Sequence, residues 1–162
     1  LGSINLARLV TDAFEAGAKM DMTALDRLVR VAVRAMDNVV DASRFPLPEQ
    51  QAEAKAKRRI GLGVTGLADA LLMVGLRYGS EEAAKVTETW MHAIARAAYL
   101  ASVDLAREKG AFPLFEAAGF LASGNMAGMD ADVREAVAKH GIRNALLTSV
   151  APTGTISLYA GN

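Results

Sequence analysis

Apolar residues recur at helical spacing through two long stretches of the chain. Leu25, Leu28, Val29, Ala32, Met36, Val39 and Val40 follow a Thr23-Ala24-Leu25-Asp26 pattern of the capping-box kind, which predicts a helix from there to about Asp41. Ser80 with Glu81 and Glu82 marks a second helix start, and nothing interrupts its pattern until Gly110. Val86, Trp90, Ile94, Ala97, Ala101 and Leu105 form the expected buried side of this element, about 45 Å long at 1.5 Å per residue.

Between these helices the pattern shortens. Phe45-Pro46-Leu47-Pro48 must break the first helix, and a short alanine-rich helix is expected from about Glu49 to Lys57. Leu67–Met73 reads as helix ending at Gly75, and Phe115–Leu121 and Ala131–Lys139 as two more, joined by an exposed Ser123–Met129 connector. Leu1–Val10 fits a short strand running into a helical turn; Ile60–Val64 and Asn144–Val150 are two further strand candidates. Strands bounded by helices predict an α/β architecture with parallel strands. Three short strands cannot close a barrel, which requires strand number, tilt and stagger to agree.

The 162 residues fit one domain that buries roughly 70% of its unfolded surface. Eighteen Lys and Arg against eighteen Asp and Glu leave no basic footprint, so nucleic acid is not expected as a direct partner. The most basic run, Lys55-Ala56-Lys57-Arg58-Arg59, reads as a solvated helix end. No apolar run approaches the ~20 residues of a membrane span, and a cytoplasmic protein is expected. Zero cysteines exclude disulfides and cysteine–zinc sites within these residues. His92, His140 and Asp69 lack partners at ligand or acid–base spacing, so no metal site and no catalytic residue is expected here. A first residue other than methionine, and a last motif lying just before Asn162, read as a segment of something longer.

Gly61-Leu62-Gly63-Val64-Thr65-Gly66 matches G-x-G-x-x-G, but a dinucleotide fingerprint needs an apolar strand immediately before it. Here Lys-Ala-Lys-Arg-Arg precedes, so a tightly packed strand–helix turn is the better reading. The richest chemistry lies near the end. In Leu146–Ser157 a β-prone run stops at Pro152 and gives way to Thr153-Gly154-Thr155-Ile156-Ser157. Pro152 lacks an N–H and ends a ladder, Gly154 admits close approach, and hydroxyls and amides follow at a helix start. Such a segment suits phosphate; it also suits a polar turn that only caps a helix.

The string Ala-Pro-Thr-Gly-Thr-Ile-Ser-Leu after Leu-Leu-Thr-Ser-Val resembles the substrate-phosphate loop of adenosylcobalamin-dependent ribonucleotide reductases. Leu1-Gly2-Ser3-Ile4-Asn5-Leu6, Arg58–Ala68 and Lys109–Phe115 resemble further segments of that family in the same order, so the likeness runs from Leu1 to Asn162. It implies that residues 1–162 are a single helix-rich arc, incomplete here, of a ten-stranded α/β barrel. It implies a ribonucleoside diphosphate as substrate, adenosylcobalamin as radical source, and a thioredoxin-like reductant acting through cysteines outside this chain. Pro152, Thr153, Gly154, Thr155 and Ile156 are the implied substrate-binding residues, with Ser157 a weaker candidate. Iron-dependent relatives more often carry an acid and an extra serine here, so Gly154 and Ile156 favour the cobalamin class. The alternative is a non-catalytic helical scaffold or interaction module.

Overall fold

The computed structural model describes residues 1–162. Leu1–Val10 divides as its mixed spacing predicts, into strand β1 (Gly2–Asn5) and a 3₁₀ turn (Leu6–Leu9) capped by the Asn5 side chain. A small antiparallel pair, β2 (Val10–Thr11) and β3 (Lys19–Met20), then delivers the chain to helix α1 (Met22–Ala42). The cap of α1 is Asp21, whose carboxylate accepts from the Ala24 amide at 2.9 Å, rather than Thr23. Asp26, three residues beyond Thr23, is thereby left to pair with Arg30 at 2.8 Å.

The buried seam of α1 is narrower than its apolar residues imply. Leu25, Val29, Val33 and Asp37 face inward at strict i, i+4 steps, while Leu28 and Val39 are 40% and 60% exposed. A helix resting on a single layer covers one stripe only, and these two side chains fall beside it.

Helix α2 (Pro48–Lys57) follows the proline break, and strand β4 (Leu62–Thr65) leads into α3 (Leu67–Met73). Helix α4 (Glu81–Lys109) runs for 29 residues; Ser80 caps it by accepting from the Ala83 amide, and Gly110 ends it. Trp90, Ile94, Ala97, Ala101 and Leu105 are buried as their spacing predicts, with Val86 half-buried. Helices α1 and α4 pack side by side, tied at the surface by Arg34–Glu108 at 2.6 Å.

Beyond α5 (Ala117–Leu121), the connector expected to be exposed contains a short helix, α6 (Gly124–Ala127), and Met126 within it is fully buried. An unbranched thioether fills irregular gaps, which explains how this polar, glycine-rich stretch is drawn onto the core. Helix α7 (Ala131–His140) and the terminal α8 (Gly154–Ala160) complete the chain.

Strands β1 and β4 are parallel, with Ser3 opposite Gly63 and Asn5 opposite Thr65. Side chains alternate along a strand, so Ile4 and Leu62 point into the core while Ser3, Asn5, Gly63 and Thr65 share the other face. The third expected strand, Asn144–Val150, is only a single bridge from Thr148 to Leu62. Its ladder is irregular. The amides of Ile60 and Leu62, two residues apart, donate to the carbonyls of Leu146 and Leu147, which are adjacent. A regular parallel ladder steps by two on both sides, so this extra residue breaks the strand. The result is a helix-rich unit on an unclosed sheet, and no helix is long and apolar enough to cross a membrane.

Candidate functional site

The Leu146–Ser157 segment leaves the sheet earlier than its proline suggests. Its last backbone bond to β4 is from the Ser149 amide to the Leu62 carbonyl, three residues before Pro152. Pro152 therefore shapes the loop instead of ending the ladder. Thr153 then adopts a left-handed conformation, φ +56°, which only glycine and a few polar residues enter readily, and α8 starts at the next residue.

The first helical bond of α8 runs from the Ser157 amide to the Thr153 carbonyl at 2.8 Å. The amides of Gly154, Thr155 and Ile156 precede it and have no partner from the helix itself. Ser157 is spent internally, because its hydroxyl donates to the Gly154 carbonyl at 2.8 Å. Thr153, Gly154, Thr155 and Ile156 line a cleft of about 300 Å³ whose opposite wall is Leu1, Gly2 and Ser3. Four of the five residues expected to bind substrate thus meet around one space; Pro152 does not line it. The lining carries no charged side chain, so amides and hydroxyls are its only donors.

Gly154 is a glycine that the fold itself does not need. A Cβ built there meets nothing within 4 Å, and its backbone is ordinary helix. The glycines at 61, 63 and 66 are the reverse case. A Cβ at Gly61 would meet Leu1 at 2.4 Å, one at Gly63 the Ser149 carbonyl at 2.8 Å, and one at Gly66 the Asn5 Oδ1 at 2.8 Å, with Gly66 also at φ +67°. Protein atoms crowd the position a side chain would take at each of these glycines, so the G-x-G-x-x-G match is a packing junction.

Asn5 ties the loop helix to the sheet. Its Oδ1 accepts from the Ala7 amide at 3.1 Å, and its Nδ2 donates to the Ala160 carbonyl at 3.3 Å. No sequence pattern marks this role, since the tie spans almost the whole chain.

The basic run at 55–59 is not simply a solvated helix end. Arg58 is buried in a left-handed conformation, φ +48°, at the end of α2. Its Nε donates to Asp37 Oδ1 at 2.9 Å, and Nη1 and Nη2 donate to Asp41 at 2.8 and 2.9 Å. Arg143 approaches Asp37 from the other side at 3.3 Å. Arg58, by its hydrogen bonds, holds the Asp41 carboxyl below the usual carboxylate range. Losing one member of the buried Arg58–Asp37 pair costs about 3–5 kcal/mol, whereas an exposed pair such as Asp26–Arg30 contributes about 1 kcal/mol at most. Nothing in the spacing of Asp37, Arg58 and Arg143 announces that they meet; a charge at a seam position of α1, Asp37, was the one available signal.

Other titratable groups belong to surface ties. His92 Nε2 lies 3.1 Å from Asp130, which with Asp132 also holds Arg96, and Arg96 keeps the Asp132 carboxyl at about 2. His140 is the last residue of α7, and Asp69 stands in the first turn of α3. No group of three or more His, Cys, Asp or Glu is placed to hold a metal ion.

Comparison with known proteins gives the family of the chain. Residues 1–162 match the family described as ribonucleotide reductase, barrel domain. The chain is 46% identical, over 99% of its length, to a vitamin B12-dependent ribonucleoside-diphosphate reductase of Mycobacterium tuberculosis (strain CDC 1551 / Oshkosh) and covers 20% of that protein. It is 37% identical, again over 99% of its length, to the protein of the same name in Thermoplasma acidophilum, covering 18% of it. Identity to the ribonucleoside-diphosphate reductase large chain of Schizosaccharomyces pombe is 32%, over 97% of this chain and 21% of that one. The chain spans about a fifth of the length of these relatives. A parallel β–α sheet left open at its edge, the glycine-packed junction at 61–66 and the Pro-Thr-Gly-Thr loop are thus found in a chain that belongs to the ribonucleotide reductase barrel-domain family.

Proposed function

We propose that this chain is the substrate-phosphate arc of a ribonucleoside-diphosphate reductase of the vitamin B12-dependent kind, one late part of a ten-stranded α/β barrel. The observation that carries the reading is Gly154. It has no packing reason to be a glycine, and it opens onto the cleft where three amides lack helical partners. The relatives at 46% and 37% identity are named for that activity, which favours it over a non-catalytic scaffold.

In this reading Thr153 and Thr155 donate hydroxyl hydrogen bonds to phosphate oxygens, and the amides of Gly154, Thr155 and Ile156 add neutral donors. Pro152 stiffens the entry to the loop. Substrate is held at its phosphates, and the ribose is directed beyond the cleft toward groups outside these residues. Fixing the reactant in this way lowers the entropic part of a barrier without any bond being made by the loop. The thiol chemistry of 2′-hydroxyl removal, and a thioredoxin-like reductant that restores it, require cysteines, of which this chain has none.

Adenosylcobalamin, when bound, supplies a 5′-deoxyadenosyl radical. The donor set of this chain does not fit it: His92 is engaged with Asp130, and His140 closes α7. The corrinoid therefore belongs to the remainder of the full-length enzyme, which this reading places in the cytoplasm.

The test is substrate affinity in the full-length enzyme. Thr155→Val removes one hydroxyl at nearly constant volume and is expected to cost about 1–3 kcal/mol of binding to a ribonucleoside diphosphate. Gly154→Asp should do worse by placing a carboxylate where phosphate must sit. Unchanged affinity in both folded variants would reduce Pro152–Ile156 to a helix cap.

A further inference from the structure

The loop hangs from a segment whose pairing does not define its own register. Residues 145–149 are bonded to residues 57–62 through an irregular ladder, in which the Leu146 carbonyl accepts from Ile60 and the adjacent Leu147 carbonyl from Leu62, the first residue of β4. Leu147 is buried and Leu146 is 58% exposed, yet the two side chains are identical. A slip that advances the segment by one residue would put Leu146 in the place of Leu147, so hydrophobic burial at this point barely separates these two registers, whereas the opposite slip would bury Thr148. Each residue of slip would carry Thr153–Ile156 about 3.3 Å along the strand direction.

Something polar does separate them. Asn144, fully buried, begins this segment, and every polar atom of its side chain is engaged. Its Nδ2 donates to Asp37 Oδ1 and to the Arg58 carbonyl, both at 3.0 Å, and its Oδ1 accepts from the Ser102 hydroxyl at 2.9 Å. Its backbone amide donates back to Ser102 Oγ at 3.1 Å. Those partners stand on α1, on the residue after α2, and on α4. A one-residue slip would take Asn144 away from the buried Ser102 hydroxyl and the Arg58 carbonyl and remove one of the donors to Asp37, which keeps Arg58 and Arg143; that is a penalty where the leucines impose none.

We infer that Asn144, clamped by Asp37, Arg58 and Ser102, is a positioning residue that sets the register of the phosphate loop. It touches no substrate. It acts by deciding which residues of 145–149 lie against β4, and hence where Thr153 and Thr155 stand across the cleft from Ser3. Register selection is the best-attested use of a buried polar group in an apolar setting. This inference rests on the loop binding phosphate, as proposed above.

The experiment uses the full-length enzyme and measures KM and kcat for CDP together with thermal stability, in Asn144→Ala, the milder Ser102→Ala, Gly154→Asp, and a destabilising control on α7, Val137→Ala. Misplacement of the loop should raise KM for CDP about ten-fold in Asn144→Ala, and less in Ser102→Ala, with a smaller change in kcat. Val137→Ala should lower stability and leave KM alone. The decisive variant is Asn144→Ala combined with Leu146→Gln. Glutamine is tolerated at the exposed position but resists burial, so it restores the preference for the native register and should recover most of the lost affinity. A purely structural Asn144 would show no such rescue. If Asn144→Ala does not fold, Ser102→Ala with and without Leu146→Gln carries the same test. KM moved by Gly154→Asp but by neither clamp variant, or clamp losses that Leu146→Gln does not repair, would overturn the inference and leave the phosphate loop standing. KM unmoved by Gly154→Asp as well would bring down the loop assignment and this inference with it.

Discussion

Gly63 lies directly beneath the backbone carbonyl of Ser149: a Cβ on the glycine would stand 2.8 Å from that oxygen. The contact joins β4 to the segment that carries the loop, and the neighbour is backbone, which cannot swing aside. Gly63→Ala should therefore destabilise the chain by about 1–3 kcal/mol, through strain at the junction. Denaturant titration checks this, and a variant as stable as the parent would mean that the segment yields more easily than its bonds to β4 imply. NAD should not protect either protein.

Several carboxylates are held below their ordinary range by donors that exist only in the folded chain. Arg96 holds Asp132 at about 2, Arg58 lowers Asp41, Arg34 lowers Glu108, and the Gly119 and Ala118 amides lower Glu116. A group whose folded pKa is depressed contributes stability above its unfolded value and loses it as pH falls through the folded one. On this account the thermal midpoint is nearly level from pH 7 to 5 and falls between about pH 4 and 2. A midpoint that stays level to pH 2 would show that these ties contribute nothing.

Thr153 pairs strain with a donor. At φ +56° a glycine would be relieved of roughly 1 kcal/mol, while losing the hydroxyl of a residue that lines the cleft. Thr153→Gly should leave stability unchanged or slightly raised and weaken binding of a ribonucleoside diphosphate. Calorimetric unfolding and substrate titration on the same preparation separate the two effects. A variant that loses stability and keeps affinity would assign Thr153 to the fold alone.

The long elements were legible because their causes are local. The Ser80 cap, the helical spacing of Trp90, Ile94, Ala97, Ala101 and Leu105, and the Phe45–Pro48 break each act within a few turns of chain. The loop was legible for the same reason, as a proline, a glycine and hydroxyls in sequence. What escaped depends on residues far apart. Arg58 reads as one more cation in a basic run until Asp37 and Asp41 are brought to it, and Asn5 reveals its tie only once Ala160 lies over the sheet. The third strand failed for a related reason: β-prone residues 144–150 specify extended backbone, but the ladder is set by the partner, which places an extra residue, Gly61, between Ile60 and Leu62 just before β4. The Ser123–Met129 stretch shows that a polar connector can be held in place by a buried methionine, Met126, together with the hydrogen bond from Asn125 to the Tyr99 hydroxyl.

In the proposed role, Thr153–Ile156 receives the phosphates of a ribonucleoside diphosphate. A crystal structure of the full-length enzyme with such a substrate tests it most directly. Phosphate oxygens are expected within hydrogen-bond reach, roughly 2.7–3.2 Å, of the Gly154, Thr155 and Ile156 amides and at least one threonine hydroxyl. Phosphates bound elsewhere, with the cleft between Ser3 and Thr155 occupied only by water, would contradict it.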